Sequence, residues 1–259
     1  MSRAAPEAKF TEENVLWVKQ HTPKLMSFAI TRPKTYRFSA GQFSRLGFRD
    51  GEGFIWRAYS IVSAEYADIL EYFVILVENG AMSKLLAQMQ ARQTILLDKT
   101  AFGFLLPERF TDGEDLVMLS TGSGIAPFLS MLQQPTLWER FTHIGLVHSV
   151  SYAKELVFQE YITGLSQHPL LAERITKLKW QPVVTREIVE GALSQRVPAL
   201  IQNGHLATGL QLEFSPQHTR FMLCGNPTMV ADTFKTLLSM GYTMHRNKLP
   251  GHIVMENGF

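Results

Sequence analysis

From about Val15 to Phe104, short apolar runs alternate with turn residues. Residues 15–18, 26–30, 42–46, 59–62, 70–77 and 94–97 each read as a strand, with Gly, Pro, Asp or Asn between several of them. Strands spaced this way predict an antiparallel β-barrel or sandwich. One stretch departs from the pattern. Leu85, Leu86 and Met89 fall at helical spacing within residues 82–89, with Ser83 placed to cap the first turn.

From about Leu116 the rhythm becomes strand, loop, helix. A buried strand at 116–120 leads through a glycine loop into a helix at 126–133. Strands at 143–148, 178–185 and 220–224 are followed by helical stretches at 153–166, 194–202 and 228–240, and a short strand closes the series at 252–255. Alternation of this kind predicts an α/β doubly wound parallel sheet. Pro, Gly and charge cluster at 107–114, which marks a linker and divides the chain into residues 1–111 and 112–259. There is no internal repeat and no low-complexity tract.

Composition narrows the function. The 259 residues are 46% hydrophobic and 19% charged, as in an ordinary folded protein. Lys plus Arg number 25 against 23 Asp plus Glu. That balance argues against a nucleic-acid binder, although a local basic patch for an acidic partner stays open. Cys224 is the sole cysteine. It excludes an internal disulfide, a thiolate zinc site and a four-cysteine iron–sulfur cluster, so no metal is expected and redox chemistry would come from an organic cofactor. No apolar segment follows Met1 and no run reaches the roughly 20 residues that span a bilayer. A cytoplasmic protein without membrane contact is the expectation.

Two segments carry candidate chemistry. Ser120-Thr121-Gly122-Ser123-Gly124-Ile125-Ala126-Pro127 follows a buried strand and opens a helix. Its glycines let the backbone approach a ligand, and Pro127 suits a first helical turn. It is not the Rossmann fingerprint, because Pro127 stands where a third glycine would be. The same loop reads equally as a turn needing glycine for geometry alone. In Arg57-Ala58-Tyr59-Ser60, alternation puts Arg57 and Tyr59 on one strand face. Arg offers a fork to phosphate and Tyr a flat plate with a polar tip. An exposed Arg beside a half-buried Tyr accounts for the segment as well.

Taken in order, four segments resemble the bacterial ferredoxin(flavodoxin)–NADP reductase family, whose members are linked to oxidative stress in several bacteria. Arg57-Ala58-Tyr59-Ser60 resembles its flavin motif, and Gly80-Ala81-Met82-Ser83-Lys84-Leu85-Leu86 its second flavin segment. Ser120 to Pro127 resembles its nicotinamide loop. Cys224-Gly225-Asn226-Pro227-Thr228-Met229-Val230 resembles its second nucleotide loop. The resemblance runs from about Val15 to the C-terminus. It implies an FAD-binding barrel at 1–111 and an NADP-binding α/β domain at 112–259, its tail lying over the flavin.

The resemblance also implies roles. Arg57 would bind the FAD pyrophosphate, Tyr59 would stack on the isoalloxazine, and Ser60, beside Ala58, would reach its N5 edge. Phe73 would line the adenine or ribityl side, and Ala81, Met82 and Ser83 would bind the pyrophosphate. Thr121 would sit against flavin and nicotinamide together, Cys224 and Gly225 would lie beneath the nicotinamide ring, and Gly122, Ser149, Asn226 and Met229 would bind NADP. Ser60, Cys224 and Glu256 are the catalytic candidates. Phe259 would stack near the flavin; the chain ends there, and Gly258 replaces a bulkier residue, so a less covered flavin face is expected.

Coenzyme choice turns on the 2′-phosphate. The strand ending at Ser149 is followed by Val150 and Ser151, with no acid to take a ribose hydroxyl. Arg186 and Arg196 match the family's 2′-phosphate positions, and two guanidinium forks suit one dianion. An Arg is common among relatives where Ser151 stands, and Lys154 would partly substitute. The implied reaction moves electrons between NADPH and ferredoxin or flavodoxin in a monomer, with Lys34, Arg37, Arg45 and Arg49 as the basic docking face. A flavin reductase, an oxygenase reductase component and a non-catalytic nucleotide sensor are the rival readings.

Overall fold

The computed structural model describes residues 9–167 and 171–257. The first half forms a six-stranded antiparallel sheet in the order β4-β3-β6-β1-β2-β5. Its strands are β1 (Phe10–Thr22), β2 (Leu25–Thr31), β3 (Phe43–Asp50), β4 (Gly53–Ser60), β5 (Ile69–Ile75) and β6 (Thr94–Phe102). β1 changes partner along its length. Phe10 to Asn14 pair with β6, and the remainder pairs with β2 across two register shifts. That switch turns the corner of the sheet. The outer strands β4 and β5 then meet through a bridge between Ile61 and Tyr72, and the Val62 N–H donates to the Glu71 carbonyl at 2.8 Å. The sheet thereby closes as the barrel that the strand spacing predicts, burying Phe28, Ile30, Leu46, Leu70, Ile95 and Leu97.

The helix α1 (Ala81–Ala87) plugs the barrel with Met82 and Leu86, and ends two residues short of the predicted span. Ser83 does not cap it. The helix starts after Gly80, which leaves Ser83 inside the first turn, and its hydroxyl accepts the Val77 N–H at 2.8 Å. β4 also begins six residues upstream of the strand expected at 59–62. Its outer residues Gly53 and Phe54 are exposed, which removes the alternation signal.

The second half is a five-stranded parallel sheet in the order β11-β10-β7-β8-β9. Its strands are β7 (Asp115–Thr121), β8 (His143–Val150), β9 (Leu178–Val184), β10 (Thr219–Gly225) and β11 (Ile253–Asn257). The helices are α2 (Ala126–Leu132), α3 (Pro135–Arg140), α4 (Gln159–Gly164), α5 (Val197–Gln202), α6 (His205–Leu210) and α7 (Pro227–Ser239). The single helix expected at 153–166 is broken into a 3₁₀ turn (Ala153–Glu155), α4 and a second 3₁₀ turn (Leu165–Gln167). The cause is packing. Leu156 buries against Val150 and Val184, while Phe158 turns to meet Phe73, and one helix cannot serve both directions.

The halves share a core. Leu25, Val62, Phe73 and Leu105 from the first half pack with Phe128, Leu129 and Leu132 of α2, all seven of whose residues are buried. Ser130 Oγ donates to the Ser63 carbonyl at 2.6 Å and Gln133 Nε2 to the Val62 carbonyl at 2.8 Å. No helix among the described residues is long and apolar enough to cross a membrane.

Candidate active site

The parallel sheet reverses its winding between β7 and β10. From β7 the chain adds β8 and β9 on one side, then returns to place β10 on the other. Ligands of open α/β sheets bind at the carboxyl ends of the strands at such a point. Here the loops after β7 and β10 touch backbone to backbone. A Cβ on Gly124 would lie 2.6 Å from both the Cys224 carbonyl carbon and the Gly225 Cα. Gly225 has φ +135°, and a side chain there would run into Thr121. Thr121 Oγ1 accepts the Asn226 N–H at 2.7 Å and ties the loops together. The first loop does not run straight into a helix as the sequence suggests. It closes as a 3₁₀ turn (Gly122–Ile125) before α2, and Gly122 sits at φ +53°.

Behind this junction stands His148 on β8, fully buried. Its Nε2 lies 2.9 Å from the Gly122 carbonyl, which can only accept, so that nitrogen carries the proton. Burial drives its pKa down to about 4 and keeps the ring neutral. Asn226 is committed too: its Oδ1 accepts the Thr228 and Met229 N–H groups at 2.9 and 3.3 Å and caps α7.

Two cavities open from this point. The inner one, about 50 Å³, is walled from both sheets: Ala58, Tyr59, Ser60 and Phe73 on one side, Ser123, Gly124 and Cys224 on the other. Burial pushes the Tyr59 phenol up to about 12, so it stays protonated. Burial, then the Glu256 charge, also raises the Cys224 thiol. Cys224 therefore offers an uncharged contact and no thiolate nucleophile. Glu256 pairs in register with Cys224, and a Cβ on Gly103 at the barrel end would lie 3.4 Å from its Oε1. Its Oε2 is buried without a hydrogen-bond partner among the described residues, and burial raises the carboxyl to about 7.

The outer cavity, about 500 Å³, holds Thr121, Gly122, Ser149, Arg196, Asn226 and Met229 from the nucleotide half. Three lining residues come from the barrel: Lys24, Leu25 and Ile75. Its size lies within the range of small-molecule sites. Glu155 lines it as well, its Oε2 accepting the Ser151 and Tyr152 N–H groups at 2.8 and 3.1 Å. The strand end expected to carry no acid thus receives one from four residues beyond Ser151, folded back by the 3₁₀ turn.

Other predicted residues lie apart. Arg186 is outside the outer cavity's lining, its guanidinium 5.9 Å from the Tyr152 ring centroid, and Lys154 Nζ approaches the same ring at 5.7 Å. Arg57 is exposed and donates to the Trp56 carbonyl at 2.8 Å. Ala81 and Ser83 flank Met82, whose side chain is barrel core. Phe73 meets Phe158 of the nucleotide half edge-on at 4.8 Å. Of the basic residues expected to dock a carrier, Arg45 pairs with Asp98 at 3.5 Å and Arg49 with Glu12 at 2.6 Å. Arg37 donates to the Lys34 carbonyl at 2.6 Å. Phe259 and Gly258 lie outside the described residues. Sequence reasoning missed Lys24, Ile75, Glu155 and His148. Of these only His148, a histidine inside an otherwise apolar strand, carried a visible signal.

The chain matches the oxidoreductase FAD-binding domain over residues 18–100 and the oxidoreductase NAD-binding domain over residues 118–235. It is 36% identical to ferredoxin–NADP reductase A of Sorangium cellulosum, over 96% of this chain and 90% of that protein. It is 35% identical to the flavodoxin/ferredoxin–NADP reductase of Escherichia coli, over 87% of this chain and 89% of the relative. A crystal structure of a ferredoxin NADP+ reductase from Neisseria gonorrhoeae, with bound FAD and NADP, superposes with a TM-score of 0.93 at 60% identity, covering 98% of this chain and 100% of the other. The strand order, the touching loops at the switch point and these likenesses agree: the chain belongs to the ferredoxin–NADP reductase family.

Proposed function

We propose that this protein is an FAD-dependent ferredoxin–NADP reductase, moving electrons between NADPH and ferredoxin or flavodoxin. The observation that carries the reading is the inner cavity, walled by both halves beside the contact where Gly124 and Gly225 admit no side chain. At about 50 Å³ it holds no whole ring, and it marks the seam where rings bound to the two halves would meet. The residues present fit both cofactors: a glycine cradle, a tyrosine plate at Tyr59, and a buried Glu256 oxygen left without a partner. Bound FAD and NADPH supply the hydride chemistry, with FAD releasing electrons singly to a carrier.

The chain's own residues bind, orient and manage protons. Tyr59 stacks and Ser60 hydrogen-bonds at the flavin edge, while Arg57 and the Ala81 to Ser83 turn hold the FAD phosphates. Thr121, Gly122 and Gly225 shape the nicotinamide end, and Cys224 packs beneath it as a neutral thiol. Arg196 takes the adenosine end, Ser149 and Met229 line the same cavity, and Arg186 flanks it from outside. Glu256 takes up or releases a proton near neutral pH, as its raised pKa allows. The barrel half at 1–111 and the nucleotide half at 112–259 act as one cytoplasmic monomer.

The test is cytochrome c reduction by the purified protein with NADPH, with and without added ferredoxin or flavodoxin. Strong stimulation by a carrier is expected. Reduction of free flavin alone, with no carrier effect, would make this a flavin reductase instead.

A further inference from the structure

The outer cavity is built almost wholly by the nucleotide half, yet a cation from the barrel enters its wall. Lys24 sits on the two-residue turn between β1 and β2. That turn is held firmly. Thr22 Oγ1 accepts the Lys24 and Leu25 N–H groups at 3.2 and 3.1 Å, and the Lys24 carbonyl accepts the Leu76 N–H at 2.8 Å. Pro23 stiffens it further. The next residue, Leu25, pairs in register with Ile75, and a Cβ on Gly122 would lie 3.0 Å from Ile75 Cδ1. Lys24 is thus placed beside Gly122 on the barrel side, whereas Arg196 lines the cavity from the N-terminal end of α5 in the nucleotide half. Glu155 and Asp232 also line the cavity, and neither forms an ion pair with Lys24. A flexible ammonium with no carboxylate partner among the described residues suits a phosphate as a point charge.

We propose that Lys24 binds the pyrophosphate of the dinucleotide across the cleft, while Arg196 reads the 2′-phosphate. The assignment rests on the NADP-dependent reading above. It divides the recognition of one ligand between the two halves, so that the bound dinucleotide fastens the β1–β2 turn to the Gly122 loop.

The test is calorimetric titration of the FAD-loaded protein with NADP+, NAD+ and 2′-AMP, which lacks a pyrophosphate. Lys24→Ala is expected to weaken NADP+ and NAD+ by about fivefold each, as an exposed ion pair would. Binding of 2′-AMP should stay unchanged, and Lys24→Arg should restore NADP+. The difference should shrink as salt is added. Arg196→Ala should show the converse, weakening NADP+ and 2′-AMP while sparing NAD+. Unchanged NADP+ affinity in Lys24→Ala would overturn the proposal. So would an equal loss for 2′-AMP, which would move Lys24 to the 2′-phosphate. Failure of the unmodified protein to bind NADP+ would overturn the dinucleotide reading itself and the proposal with it.

Discussion

The inner and outer cavities meet at the same pair of loops but are made of different material. The inner one is fixed by backbone contact, by two glycines and by groups that burial holds uncharged, Tyr59 and Cys224 among them. The outer one is lined by charged side chains, two basic and two acidic: Lys24, Arg196 and Asp232, which are exposed, and the half-buried Glu155. Geometry that must bring two rings together leaves no freedom, since an ångström of error costs orders of magnitude in rate. Affinity for a charged ligand tolerates adjustment, because each exposed charge contributes little. Substitutions should therefore act steeply at the inner cavity and gently at the outer one.

The largest effect is expected from Gly225→Ala. At φ +135° the methyl would press into Thr121, and the strain plus overpacking should cost about 3 kcal/mol in a urea titration. NADP+ binding should be lost with it. A wild-type midpoint would mean the loops do not touch as described. Tyr59→Ala comes next. Removing the plate should weaken FAD at least about tenfold, seen as flavin lost on gel filtration. Full flavin occupancy would count against stacking.

The outer cavity should respond less, and unevenly. Arg196→Ala should raise the KM for NADPH by about tenfold and leave NADH nearly unchanged, whereas Arg186→Ala, outside the lining, should stay within about twofold. Equal losses for NADPH and NADH would sink the 2′-phosphate assignment. A further test is a pH slope. Glu256 titrates at about 7 when folded against an ordinary 4.5, so the folded chain holds the extra proton and stability should fall as pH rises between those values. Glu256→Gln should remove that downward contribution, so that in melts taken across the window stability rises with pH up to 6.5, where His148 acts alone. His148, neutral down to about 4, gives the opposite sign: stability is lost as pH falls from 6.5 toward 4.

The fold was legible where periodicity had room to repeat. The long apolar strands and α7 fall where the pattern puts them. The six-residue helices α3 and α6 did not register, because fewer than two turns give no period to detect. The stretch from Ala153 to Gln167 misled because Leu156 and Phe158 answer to different cores. At the site, the glycine loops were readable because their chemistry is local. Lys24 and Glu155 were not. A turn lysine and a glutamate after a strand are ordinary in sequence, and only the fold delivers them to one cavity.

The core shared through α2 has a mechanical consequence. A helix with every residue buried between two sheets cannot serve as a hinge, because opening the halves would expose Phe128 and Leu132 to water. The two sheets should melt in a single calorimetric transition, not in two. Ligands must then come and go through movement of loops and side chains at the rim, and the seam itself stays shut throughout turnover.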